Sequence, residues 1–439
     1  MRKILSLMIC PLLLSLTLQS CLKEQDEVFE ESASARMSNY LTRVSEVLVS
    51  ADNGWVLNYF PDRNQSYGGY AYTLRFDGQN VEAKTQLDGG TDSFVSTYKL
   101  TNDDGPILSF DTYNDALHFF ARPTASRYEA YDGDFEFVVM EVSDDQNTIL
   151  LKGKRTGNLM QMIRLSTTPD DYLSAVAKVQ AAMPFQAYEF EVNGTAVYVD
   201  GQEGNLVMTY VSGDGEQSVT APYIFTPSGM EFYRAVNILG QEFYGLEYVE
   251  RGEPQPKIGD SFRALGNEGI VFTSVPQKLN LQFVRGNWYV AASTLGDFAT
   301  PYWNVVNRTL TQDYGEQLYY AFMGYANGGY GLQFSVTNGS EEFISALYYE
   351  YGLVGDDVVT LGFAGTGAGE AGWYYQYANF AYALFPFGYM NENGMTDPRT
   401  FRITADNMES PRQLTLTEDD NPDNVITLWA EPVYFPFEH

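Results

Sequence analysis

Two histidines, two cysteines and 57 acidic side chains bound the chemistry open to this 439-residue chain. His118 lies in Ala116-Leu117-His118-Phe119-Phe120, where alternation predicts a strand histidine bonded to a neighbour, and His439 is the last residue. A nucleophilic triad or a zinc site would thus have one ordered imidazole to draw on. The sequence holds no G-x-S-x-G, no H-E-x-x-H and no phosphate-cradling glycine loop. Paired carboxylates could hydrolyse glycosides without histidine or cysteine, but so many acidic residues single out no pair. Asp103-Asp104, Asp144-Asp145 and Glu418-Asp419-Asp420-Asn421 with Asp423 could ligate calcium through oxygen. Each also stands where a hairpin turn favours Asp and Asn, and none has EF-hand spacing. No cofactor is expected, structural calcium at the last segment being the one open option. Aromatic residues make up 15% of the chain and could stack on sugars or anchor a protein partner. The densest patches are Trp373, Tyr374, Tyr375 and Tyr377, followed by Phe380 and Tyr382, and the stretch Tyr319 to Tyr330. The first four carry the ligand-binding expectation, beside the plainer reading of aromatics as strand and core residues.

The cysteines point to placement rather than catalysis. Arg2 and Lys3 precede an apolar run from Ile4 to Leu18, broken by Pro11 and too short to span a bilayer, so residues 1–20 read as a cleavable export signal. Leu18-Gln19-Ser20-Cys21 resembles the bacterial lipobox, which makes Cys21 the expected acylated residue and the attachment to a membrane. Cys10 leaves with the signal. The mature chain then offers no thiol for a disulfide, a nucleophile or a metal site. The net charge of −31, two units more negative once Arg2 and Lys3 are removed, repels phosphate backbones and argues against nucleic-acid binding. Lys152, Lys154 and Arg155 form the only dense basic cluster and read as a solvated strand edge.

These residues need a scaffold, and hydrophobic periodicity supplies one. Residues 21–34 are a polar tether. From about Ala35, Met37, Tyr40, Leu41, Val44, Val47 and Leu48 recur at three and four, predicting an amphipathic helix stopped by Gly54. The period then becomes two, with expected strands including Gly69 to Phe76, Val95 to Thr101, Ala116 to Phe120, Asp134 to Val142, Thr148 to Gly153 and Leu159 to Leu165. In Asp134 to Val142 one face would carry Phe135, Phe137, Val139 and Glu141. A second helix starts at Thr168-Pro169, with Asp170 and Asp171 at its positive end, and more strands follow to Glu250. Arg251 to Pro256 reads as a linker. The last part adds expected strands including Leu279 to Val284 and Val425 to Trp429, with Ser345 to Tyr351 open between helix and strand. Short neighbouring strands joined by short turns imply antiparallel pairing. The expected fold is mainly β: tandem antiparallel lipocalin-like barrels or sandwiches, the first two each preceded by an amphipathic helix. The expected domains are 35–167, 168–270 and a third β-rich region, 271–439, that could merge with the second.

Gly105 to Asn114, Gly133 to Val138 and Leu150 to Lys154, with Gly54-Trp55 after the first helix, resemble a Bacteroidota lipoprotein family of unknown function, the domain of unknown function 4302 family. The resemblance reaches about Leu165. It implies a setting, beside outer-membrane importers of the SusC and SusD kind and sometimes a zinc metallopeptidase, and carries over no catalytic residue. Lys23 to Glu27 is similar to a surface-export signal, with Leu22 and Gln25 departing from its tightest form. The chain is therefore expected to be a non-enzymatic outer-membrane lipoprotein, anchored through Cys21 and facing the surface or the periplasm, that binds glycan or peptide for a SusC/SusD-like transporter. A carboxylate-based hydrolase and a structural lipoprotein without ligand are the alternatives.

Overall fold

The computed structural model describes residues 32–103, 105–125, 127–183, 187–250, 257–367, 369–390 and 396–438. The export signal, Cys21, most of the tether, the linker at 251–256 and His439 lie outside them. The chain forms two compact units, Met1–Ala181 with Pro222–Tyr233, and Ala182–Ala221 with Arg234–His439. No helix among the described residues is long and apolar enough to cross a membrane.

The first unit opens with α1 (Ala33–Val49), capped by the Ser32 hydroxyl, which accepts from the Ala35 amide. Its Val44, Val47 and Leu48 are buried at the expected helical spacing. Gly54 then turns the chain at φ +79°, where a Cβ would stand 2.5 Å from the Leu74 carbonyl oxygen, so only glycine fits. Nine strands follow: β1 (Trp55–Tyr59), β2 (Tyr70–Phe76), β3 (Asn80–Thr85), β4 (Phe94–Thr97), β5 (Lys99–Asn102), β6 (Pro106–Ser109), β7 (Glu136–Val142), β8 (Thr148–Gly153) and β9 (Leu159–Arg164). They pair in the order β4-β3-β2-β1-β9-β8-β7-β6-β5. The two edges, β4 and β5, are separated only by Tyr98, so the sheet curls back on itself. Its inner face and α1 share one core including Trp55, Tyr72, Phe110 and Phe137. Trp55 donates its indole N–H to the Leu48 carbonyl at 3.0 Å, tying helix to sheet.

Three expectations need correction here. The run Val95 to Thr101 is two strands, broken at Tyr98. Ala116 to Phe120 is a series of turns, because the Asn114 side-chain oxygen accepts from the Ala116 and Leu117 amides and holds the chain in a local bend. In β7 the register shifts between Val139 and Glu141, so Phe137, Val139 and then Val142 face inward while Glu141 stays exposed. A bulge thus rescues an acidic residue that strict alternation would bury.

Helix α2 (Pro169–Ala182) packs on the outer face of the same sheet through Leu173, against Val56, Ala71 and Leu165. The hairpin tip Pro222–Tyr233 belongs to this unit as well: the Tyr233 ring lies 4.8 Å from Phe60 and its hydroxyl accepts from the Leu159 amide.

Strands β10 (Ala187–Val192), β11 (Thr195–Gln202), β12 (Asn205–Ser212), β13 (Gly215–Thr226), β14 (Gly229–Ile238), β15 (Gln241–Glu247), β16 (Ser261–Ala264) and β17 (Asn267–Ser274) close into a barrel in chain order. In the second unit this barrel is followed by α3 (Leu279–Arg285), a helix where alternation suggested a strand. Leu279, Asn280, Phe283 and Val284 are buried at helical spacing, a pattern that so short a segment does not distinguish from alternation. Arg285 fixes α3 to β11 by a bond of 2.8 Å from Nη1 to Asp200.

The third sheet comprises β18 (Trp288–Val290), β19 (Gln317–Ala326), β20 (Gly329–Thr337), β21 (Glu342–Val354), β22 (Val358–Thr366), β23 (Gly388–Met390), β24 (Thr396–Ala405), β25 (Gln413–Glu418) and β26 (Val425–Trp429). An additional β22–β24 pairing closes it into a ring. The undecided run Ser345 to Tyr351 is strand. Helices α4 (Gly296–Arg308), α5 (Ala371–Gln376) and α6 (Phe380–Leu384) contribute Trp303, Tyr374 and Phe380 to its core. The architecture is mainly β, built of antiparallel barrel-like sheets.

Candidate functional site

The four aromatic residues singled out from sequence separate according to helical geometry. On α5, Tyr374 turns inward, 1% exposed, with its ring 5.5 Å from Phe334 and 5.7 Å from Phe380. Tyr375 is half-buried and stacks on Phe363 of β22 at 5.3 Å. Trp373 and Tyr377, four residues apart and so on one helical face, form the outer pair, with ring centroids 6.2 Å apart. Of the residues that follow, Phe380 is core and Tyr382 is exposed.

The structure adds residues from a distant segment. Helix α4 widens into a π-type turn, Thr309–Tyr314, ending at Gly315 with φ +68°. Such turns recur at functional sites. The widened turn delivers Tyr314 to within 4.7 Å of Trp373, and the Tyr314 hydroxyl donates to the Tyr377 carbonyl at 3.4 Å. Asn379, itself at φ 60°, donates to the Thr309 hydroxyl at 2.8 Å and joins the two segments from beneath. Tyr314 and Tyr377 are 42% and 54% exposed, with Trp373 partly buried between them.

Two carboxylates flank these rings. Glu316 accepts from the Tyr374 hydroxyl at 3.3 Å. Partial burial pushes the Glu316 carboxyl above its ordinary range, and the negative charge of Glu370 adds to that, against the lowering by the Tyr374 bond. Burial raises the Tyr374 hydroxyl as well, keeping it a protonated donor. No cation lies over Tyr314, Trp373 or Tyr377 among the described residues. The arrangement offers two exposed tyrosine rings, a partly exposed tryptophan and hydrogen-bond acceptors, the chemistry of a surface that stacks a sugar ring and accepts from its hydroxyls. Sequence reading missed Tyr314, Glu316 and Glu370. The only local signal was the glycine at 315, too common a punctuation to mark a site.

The other sequence candidates are dispersed. In the stretch Tyr319 to Tyr330, Tyr330 is buried beside Phe283 while Tyr319 packs against Tyr434. His118 sits in a turn; its Nδ1 accepts from the Asn114 amide and its ring stacks on Phe135. Asp145 caps its own hairpin turn through Ser143 and Asn147, Asp103 pairs with Lys154, and Asp104 lies outside the described residues. Glu418 is 5% exposed and bonds Arg399 at 2.6 Å and Asn424 at 2.9 Å, so its carboxylate already has partners. No three acidic, histidine or cysteine side chains converge as a metal site among the described residues.

A family model described as a domain of unknown function (DUF4302) matches residues 25–250, just over half of the chain. The chain belongs to this family. The DUF4302 match agrees with the resemblance carried by residues 105–114, 133–138 and 150–154, and it ends before the aromatic site begins. No curated protein matches the chain. Among solved structures, a DNA polymerase sliding clamp from Pseudomonas aeruginosa is similar at 15% identity, covering 90% of this chain and 96% of that one, with a TM-score of 0.13. A beta subunit of DNA polymerase from Streptococcus pyogenes is similar at 11% identity, covering 90% and 98%, with a TM-score of 0.11. Scores so low carry no argument about fold or function.

Proposed function

We propose that this DUF4302 protein is a non-enzymatic, lipid-anchored glycan-binding component of an outer-membrane nutrient-uptake system. The observation that supports the binding half is the pair of exposed rings, Tyr314 and Tyr377, around Trp373 in the segment that holds Glu316 and Glu370, with no cation over them among the described residues. Stacking against an aromatic face is sequence-tolerant and weak per ring, so several rings on one ligand are the expected design. The placement half rests on Cys21 after the lipobox-like Leu18-Gln19-Ser20 and on the acidic residues that follow it. In this reading acyl chains at Cys21 hold the protein to the outer membrane facing the surface, and a SusC/SusD-like transporter receives the ligand.

Two experiments test the proposal. Incorporation of an alkyne-labelled fatty acid in the native host is expected for the parent chain and lost in Cys21→Ala; labelling of both would overturn the anchor. A glycan array probed with the purified chain is expected to show binding that Trp373→Ala and Tyr377→Ala remove. Binding to peptides alone would overturn the glycan assignment. Release of cleaved product, dependent on Glu316 or Glu370, would overturn the non-enzymatic reading.

A further inference from the structure

We infer that the first unit carries a separate small-molecule site, a polar cleft on the outer face of its sheet that takes a ligand with one carboxylate beside hydroxyl or ammonium donors. The cleft, open to solvent, offers about 260 Å³ at the N-terminal end of α2. Its floor comes from strand geometry: Tyr72, Leu74 and Phe76 enter the core, so Thr73 and Arg75 point to the opposite face. Antiparallel register sets Thr73 opposite Lys84 and Arg75 opposite Glu82, making these four side chains one patch. The turn at Asp52-Asn53 and the helix start Thr168-Pro169-Asp170 form the walls.

Two observations distinguish this patch from ordinary sheet surface. Thr73 is 2% exposed, yet its hydroxyl has no hydrogen-bond partner among the described residues. A buried hydroxyl without a partner is unfavourable, and a polar ligand in the cleft would satisfy it. The second observation is Arg75, exposed and without a carboxylate partner among the described residues although Glu82 stands directly opposite. Glu82 instead accepts from the Ser93 hydroxyl at 2.6 Å, and Lys84 is occupied by its ion pair with Asp170. Arg75 is therefore the cation left for a ligand, and its planar fork matches a carboxylate.

The remaining lining narrows the ligand class. Asp52, Glu82 and Asp170 oppose a multiply charged anion, while a neutral ligand would leave Arg75 unpaired. Asp52 and Asn53 can accept from hydroxyl or ammonium groups. The volume falls below the roughly 300 to 1,000 Å³ of pockets for drug-sized ligands, which suits a single monomer. A uronic acid and a free amino acid share this chemistry.

Calorimetric titration of the purified chain with D-glucuronate, L-glutamine and D-glucose tests the inference and separates the two sources. One of the two carboxylates is expected to bind, with glucose at least about tenfold weaker. Arg75→Ala is expected to lower that affinity by about tenfold to a hundredfold, and Thr73→Val, which keeps the volume, by a smaller factor. Melting curves should leave Arg75→Ala unchanged, since the side chain is exposed. Trp373→Ala should bind the carboxylate as the parent does, which keeps this site distinguishable from the aromatic one. Equal binding of glucose, full affinity in Arg75→Ala, or no heat with either carboxylate at millimolar concentration would overturn the inference.

Discussion

An aromatic cluster at the first sheet and one at the third differ in what faces the rings. Beside the first sheet, Tyr67, Phe119 and Tyr131 pack at 5.2 and 5.9 Å, and Arg127 lies 4.3 Å over Tyr131 and 5.4 Å over Tyr67. Arg122 covers Tyr113 in the same segment. Beside the third sheet, Tyr314, Trp373 and Tyr377 surround Tyr374, whose hydroxyl is bonded to Glu316, and carry no such cation among the described residues. Exposure alone therefore does not mark a binding surface. A ring already covered by a guanidinium has its partner, whereas a ring bordered by acceptors still offers its face.

The supports of the two regions also differ, and the largest expected effects lie there. Arg399 and Glu418, with side chains 14% and 6% exposed, form a buried pair in the third sheet, and Arg399 also donates to the Phe385 carbonyl at 2.8 Å. Glu418→Ala leaves that guanidinium buried without its carboxylate, at an expected cost of about 3–5 kcal/mol in urea unfolding. In the first sheet Asp134, 3% exposed, accepts from the Arg155 and Thr156 amides and the Thr156 hydroxyl. Asp134→Ala orphans those donors for an expected loss of about 2–3 kcal/mol by the same measurement. Parent-like unfolding in either variant would show that its buried carboxylate contributes no net stability.

Smaller effects sharpen the contrast between the rings themselves. Arg127→Ala should lower stability by about 0.5–1 kcal/mol and leave ligand binding untouched. Greater glycan affinity in Arg127→Ala than in the parent would show that the cation merely masks an equivalent surface. Glu316 supplies the smallest and most directional test. Its folded carboxyl titrates above the ordinary value of 4.5, so the folded state holds the proton more tightly than the unfolded chain. That contribution to stability is present below the ordinary carboxylate range and is lost as pH rises through the elevated folded value. Glu316→Gln should remove this slope, giving a melting temperature that declines less between acidic and neutral pH than that of the parent. A steeper decline in the variant would reverse the assignment of burial as the cause.

Much of the fold was legible because periodicity reports which face is buried. The stripe of Val44, Val47 and Leu48 and the alternation of β8 and β9 appear in the structure, whereas in β2 the residues from Ala71 to Leu74 are all buried. Misreadings came where a local device outweighs the period: the bulge in β7, the Asn114-held bend at Ala116 to Phe120, and the short helix at Leu279. Helix α4 was hidden by Pro301 and by β-branched residues of low helix propensity, although Ala299, Trp303, Val306 and Leu310 follow helical spacing. Of the candidate site, Trp373 and Tyr377 were visible only as members of a dense aromatic run, and their shared helical face emerged with the structure. Tyr314 and Glu316 lie about sixty residues earlier, and only the packing of α4 against α6 and the third sheet brings them there.

In the proposed function, Trp373 is the ring through which the third-sheet cluster binds glycan. Isothermal titration with the tightest array-selected oligosaccharide tests it most directly, comparing the parent chain, Trp373→Ala and Arg127→Ala at matched folding. Trp373→Ala is expected to weaken binding by about tenfold or more while Arg127→Ala keeps the parent affinity. Parent-like affinity in Trp373→Ala, or a greater loss in Arg127→Ala, would contradict it.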